Sequence, residues 1–274
     1  MSLLEAVVLG LVQGITEFLP ISSTAHLKIV PALLGWGDPG AAYSAVIQLG
    51  TVGAVLVYFA RDLLHLARAF VTGLRERKPF GTLDSRLAWF VGLGTLPIGI
   101  LGLLLKKLIE AQLRSLWVMA GSLIVFAVVL AVVERLAKHT RTLDQMTLRD
   151  AMVVGSWQAV ALIPGSSRSG TTLTGALSLG FTRAEAARFS FLLSIPATTL
   201  AGVFELKHLL KADDAPPPML MLVVGTAVSF AAGLVAIWGL LRLLRTRSTL
   251  GFVVYRVALG VTLLVLLSSG RLAP

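Results

Sequence analysis

Residues 16–30 read "TEFLPISSTAHLKIV", and within ten of them, 17–26, one carboxylate, three hydroxyls and one imidazole crowd around Pro20. Gln13 and Glu17 are four apart and share a helix face. Ser22 and Ser23 precede His26 by four and three, which again selects one face. A hydroxyl with a base one turn away is the arrangement of an activated nucleophile, so Ser23 is the candidate, with His26 or Glu17 taking its proton. Ser22 suits a cap or a ligand contact. A second polar stretch, "PGSSRSGTT" over 164–172, has the composition of a phosphate cradle. Gly165 and Gly170 let backbone approach a ligand, Ser167, Ser169 and Thr172 donate hydroxyls, and Arg168 offers a planar fork that takes phosphate through two bonds.

The surroundings of these groups are apolar. Of 274 residues, 56% are hydrophobic and 14% charged, against about 25% charged in a soluble domain. Uncharged runs at 41–60, 87–105, 115–133 and 218–241 are each near the ~20 residues that cross a bilayer as a helix. A shorter run at 189–204 and one at 250–270, broken only by Arg256, bring the expectation to about six full spans in an all-α integral membrane protein. A carboxylate at the bilayer centre costs about 2.5–3.5 kcal/mol, so Glu17 requires a partner, a cation or a function. Glu134 and Arg256 read as span-end residues, the latter snorkelling towards a loop.

The absence of cysteine removes disulfides and thiolate chemistry. No Lys or Arg precedes Lys28, so the N-terminal segment lacks the basic region of a cleavable signal and is expected to stay in the mature chain. The net charge of +10 is dispersed over connecting segments, with no basic helix or aromatic-studded basic sheet, which argues against nucleic acid as a partner. Fifteen basic residues fall on the loops at 61–86, 135–149, 183–188 and 242–247, and six on the loops at 106–114 and 207–211 and at Arg271. The positive-inside rule then places both termini outside.

The two polar stretches also resemble one another. "GLVQGITEFLPISST" from Gly10 and "GSWQAVALIPGSSRSGTT" from Gly155 share Gly-x-x-Gln, a short apolar step, Pro, one residue and Ser-Ser. The likeness continues downstream, from Tyr43 and Phe189, so one membrane domain over 1–274 is expected to hold two repeats, approximately 1–140 and 145–274. Each has one interrupted segment followed by three spans, an odd number, which inverts one half relative to the other. The interrupted segments read as re-entrant helical hairpins whose tips meet at mid-membrane; an ordinary span kinked at Pro20 is the alternative. Pro followed by Ser also starts helices, so two positive helix ends would point at one cavity and favour an anion.

At these residues the sequence resembles the undecaprenyl-diphosphate phosphatase family, the bacitracin-resistance proteins. Gln13 and Glu17 match the first family motif, Ser22, Ser23 and His26 the next, and Pro164, Gly165, Ser167, Arg168, Ser169 and Thr172 the last. Gln13 departs from the version with two carboxylates. The resemblance implies a bacterial inner-membrane enzyme that removes the terminal phosphate of undecaprenyl diphosphate and regenerates the carrier lipid for cell-wall synthesis, the substrate arriving from the outer face. Glu17, with Gln13 assisting, would bind a divalent cation, magnesium or calcium, because the ligands are hard oxygens. Arg168, Ser167, Ser169, Thr172 and tip N–H groups would hold the diphosphate, and the sequence leaves room for a homodimer. The rival reading is a flippase or anion transporter, since broken helices in inverted repeats are also a transporter plan. A type-2 phosphatidic-acid phosphatase is excluded because no His follows Arg168 before His208.

Overall fold

The computed structural model describes residues 1–105, 108, 115–209 and 218–272, without the side chains of 41–42 and 203–209. The outward basic residues Lys106, Lys107, Arg114 and Lys211 lie outside the described residues. Every regular element among the described residues is helical: α1 (Leu3–Phe18), α2 (Ser23–Leu34), α3 (Gly40–Tyr58), α4 (Ala60–Arg75), α5 (Leu83–Leu104), α6 (Leu116–Leu136), α7 (Leu148–Ala159), α8 (Arg168–Ser178), α9 (Arg183–Leu209), α10 (Met219–Leu243) and α11 (Leu250–Ser268).

Start signals in the sequence explain several of these boundaries. Ser2 and Glu5 form a reciprocal capping box on α1, Thr147 and Asp150 form one on α7, and Thr82 and Ser115 cap α5 and α6. Four helices, α5, α6, α10 and α11, are long and apolar enough to cross a membrane. Their outer faces carry bare aliphatic side chains, such as Leu104 at 73% and Val254 at 69% exposure, as a lipid solvent allows.

A fifth candidate is the bent pair of α3 and α4, which turns by 72° at Phe59. The first basic stretch, read as a loop from sequence, is therefore partly a helix. On α4, Arg61, His65, Arg68 and Arg75 recur along one face, while Leu63, Leu66 and Phe70 occupy another, and Phe70 meets Trp89 of α5 at 5.0 Å between ring centres. Such an amphipathic helix, set across the direction of α3, has the form of one lying in the membrane interface. The apolar run at 189–204 belongs to the longer helix α9, with Pro196 inside it.

The α1–α2 unit packs chiefly on α10, and α7 packs on α5. Both crossings need glycine. A Cβ on Gly10 would lie 2.6 Å from the Gly225 carbonyl oxygen, and one on Gly155 would overlap the Gly94 carbonyl. These obstacles are backbone, which cannot rotate away. Gly155→Ala is therefore expected to lower stability by about 1–3 kcal/mol, whereas Gly121→Ala, which meets open space, leaves the thermal midpoint in detergent unchanged.

Candidate active site

The first tip begins where α1 ends. Gln13 and Glu17, one turn apart, are 2% and 8% exposed, and the Gln13 amide donates to Glu17 Oε2 at 3.2 Å. The chain then reverses through Leu19–Ser22. Ser22 has φ 74° and ψ 98°, a conformation that L residues rarely adopt. This turn starts α2 at Ser23, whose hydroxyl donates to the same Glu17 Oε2 at 2.7 Å.

The second tip repeats the device. After α7 and one 3-10 turn at Val160–Leu162, Ser167 takes φ 71° and ψ 111° immediately before α8. Its hydroxyl accepts from the Gly170 N–H and so caps the helix. Arg168 opens α8 and donates from Nη2 to Glu17 Oε1 at 2.9 Å. The Ser169 hydroxyl donates to the Leu19 carbonyl at 2.9 Å. Two groups far apart in sequence thus meet across paired tips, with two helix N-termini directed at one place.

Beside this junction lies a cavity of about 330 Å³. Its polar wall comprises Gln13, Thr16, Glu17, Ser22, Ser23 and Thr24 from the first tip, Ser167 and Arg168 from the second, and Ser44, Gln48 and Thr198 from α3 and α9. Leu27, Ile98 and Ala201 supply apolar wall. Glu17 occupies only one Arg168 nitrogen; Nε and Nη1 are buried without a hydrogen-bond partner. A buried guanidinium with two idle nitrogens beside a polar cavity keeps donors in reserve that could serve a multidentate anion. Ser23 beside a carboxylate acceptor is placed for proton transfer from its hydroxyl.

The donor set also bears on a metal. No cluster of three His, Cys, Asp or Glu exists among the described residues. Glu17 contributes one carboxylate, with the Gln13 amide oxygen and the Ser22 and Ser23 hydroxyls as further hard donors. That set fits magnesium or calcium, which take the rest of their ligands from water and phosphate, and does not fit zinc.

Several expected site residues stand elsewhere. His26 does not reach Ser23: its Nδ1 lies 2.7 Å from the Ser22 carbonyl and its Nε2 2.6 Å from the Tyr255 hydroxyl, with the two rings stacked. Gly165 (φ 89°) faces the Met119 backbone of α6, not the cavity. The Thr172 hydroxyl binds the Arg168 carbonyl and Ser190, and Ser169 is spent on joining the tips. These side chains hold the cradle from behind.

Arg256 overturns its sequence reading. It is fully buried and does not snorkel; its Nη2 donates to the carbonyls of Gly165 and Ser166, at 3.2 and 2.8 Å. One charge inside an otherwise apolar run was the available signal for this second-tip clamp. Glu134 does stand at the end of α6, as its sequence reading has it, and there it is buried and binds Arg183 at 2.5 Å and Thr249 at 2.9 Å. The positive φ at Ser22 gives a direct test: Ser22→Val is expected to cost about 1–3 kcal/mol, while Ser22→Gly retains the wild-type thermal midpoint.

Both tips and the Arg256 clamp lie within the stretch matched by a single family model, described as bacitracin resistance protein BacA, which covers residues 6–262. A relative from Myxococcus xanthus named undecaprenyl-diphosphatase is 69% identical over all of this chain and 92% of its own length. Relatives with the same name from Chloroherpeton thalassium and a Nocardioides species are each 50% identical, over 99% and 98% of both chains respectively. The chain belongs to the bacitracin resistance protein BacA family.

Proposed function

We propose that this membrane protein hydrolyses undecaprenyl diphosphate to undecaprenyl phosphate and inorganic phosphate, recycling the carrier lipid for cell-wall synthesis. The observation that carries the reading is the Glu17–Arg168 junction, which joins a nucleophile–acceptor pair on one tip to an anion fork on the other. A carrier would use the fork but has no need for a hydroxyl bonded to a buried carboxylate. Full-length similarity to the named undecaprenyl-diphosphatases supports the substrate class.

In this mechanism Arg168 holds the terminal phosphate through Nε and Nη1, with Ser167 and the N-termini of α2 and α8 adding donors. Glu17 accepts the Ser23 proton across their 2.7 Å contact. Ser23 Oγ then bonds to the terminal phosphorus as the bond to the bridging oxygen breaks, and undecaprenyl phosphate leaves. Glu17 passes that proton to the departing undecaprenyl phosphate and then takes one from water, whose oxygen bonds to phosphorus. The seryl oxygen leaves, recovers the proton from Glu17 and frees phosphate. A divalent cation held by Glu17 with Gln13 assisting would neutralise charge on the diphosphate. His26, engaged by Tyr255 and the Ser22 carbonyl, fixes the start of α2 and leaves the base role to Glu17.

The fold reading that accompanies this function is six spans, two re-entrant hairpins and two inverted repeats. Ser22 and Ser167, in nearly the same positive-φ conformation before α2 and α8, support it. So do the reciprocal crossings, in which the α1 hairpin rests on α10 of the second half and α7 on α5 of the first. The basic segments at 61–75, 183–188 and 242–247 gather at the ends of α3, α9 and α10 away from the catalytic cavity. That arrangement supports an outward-opening cavity in the bacterial inner membrane, with both termini outside.

Purified protein in detergent is expected to release phosphate from a long-chain polyprenyl diphosphate with magnesium or calcium and not with chelator. Glu17→Ala and Arg168→Ala abolish release, and Arg168→Lys, which keeps charge without the fork, loses roughly 10²-fold in rate. Ser23→Ala gives no turnover and no acid-stable phosphate on the protein. Substantial Ser23→Ala activity would move the attack from serine to water.

A further inference from the structure

A second cavity, of about 560 Å³, opens where the α3–α4 bend meets the start of α9 and the end of α10. We propose that it binds the phosphate headgroup of an anionic membrane phospholipid, at a site separate from the catalytic cavity. The proposal does not rest on the reaction assigned above.

Position is the first argument. On α3 the catalytic cavity touches residues 44–48 and the second cavity Tyr58; on α9 they touch 197–201 and 184–188. Gln48 and Tyr58 are ten residues apart and Arg188 and Ala197 nine, a separation of about 15 Å at 1.5 Å per residue. The second cavity therefore lies towards the opposite membrane face. The amphipathic helix α4 begins at its wall with Asp62 and marks the headgroup level there.

Charge is the second. Asp62 is already paired with Arg188, and Glu185 lies in the first turn of α9, where a carboxylate complements the helix dipole. Arg242 and Arg245 have no carboxylate within ion-pair distance among the described residues. Both also line the cavity. Arg242 sits over the Trp238 ring at 5.5 Å, which holds its guanidinium at the rim.

The exposed surface beside the cavity selects a lipid over a free anion. Val235 and Trp238, three apart on α10, are 67% and 53% exposed and lead along the helix towards Arg242. An apolar track rising into a basic, tryptophan-rimmed pocket matches acyl chains below a phosphate. Inorganic phosphate would use the arginines and ignore the track.

The test uses the full chain in a neutral detergent, with bound phosphatidylglycerol and phosphatidylcholine counted by native mass spectrometry. Wild type is expected to retain phosphatidylglycerol about tenfold more readily, and the Arg242→Gln/Arg245→Gln protein to lose that preference. Arg168→Ala keeps it, separating the two cavities. Unchanged hydrolysis by the double variant verifies its fold, since both arginines are exposed. Equal retention of the two lipids by wild type, a preference that survives in the double variant, or displacement of phosphatidylglycerol by inorganic phosphate would each overturn the proposal.

Discussion

The ion pair between Glu17 and Arg168 is the constraint around which the rest is arranged. Its members are 151 residues apart, on opposite tips, with side chains 7% and 11% exposed. Either charge alone in such a place is expensive, and removing one partner leaves the other uncompensated. Together they fix the distance between two helix ends and leave the guanidinium only partly satisfied. The junction is thus a brace that still holds two unpartnered donors.

Much of the surrounding polarity serves position. Ser169 ties the second tip to Leu19, Thr172 ties α8 to Ser190, and Arg256 gathers the Gly165 and Ser166 carbonyls. Irregular backbone buried within a protein has no water to satisfy it, so each carbonyl must find a donor from the protein. The serines at positive φ then aim two helix N-termini at the cavity, and the network behind them keeps that strained geometry in place.

The sequence made legible the apolar class, the runs that become the four apolar helices, both chain breaks and the need of Glu17 for a partner, though not that Arg168 is that partner. These rest on hydropathy, on proline–serine punctuation and on the cost of a lone charge, all of which are local or nearly so. It misassigned direction within the tips. Spacing put Ser23 and His26 on one face of α2, but spacing does not reveal that Tyr255, 229 residues away, takes the imidazole. Gly165, Ser169 and Thr172 had the right composition for a cradle, yet their partners come from α6, the first tip and α9. Arg256 was misjudged because its partners are backbone carbonyls, which leave no mark in the side-chain pattern.

The crossed packing of the hairpins also imposes an order on assembly. The α1 hairpin has its bed on α10, and Glu17 has its cation on α8, both made long after α1 leaves the ribosome. At synthesis rates of about 5–20 residues per second, the 151 residues to Arg168 leave the first tip with an uncompensated acid for about 8–30 seconds. During that interval the N-terminal half lacks the surfaces that hold its tip in place. Completion of the junction is therefore a late event of biogenesis, and a chain truncated before α8 would contain Ser23 and Glu17 without the arginine that seats them.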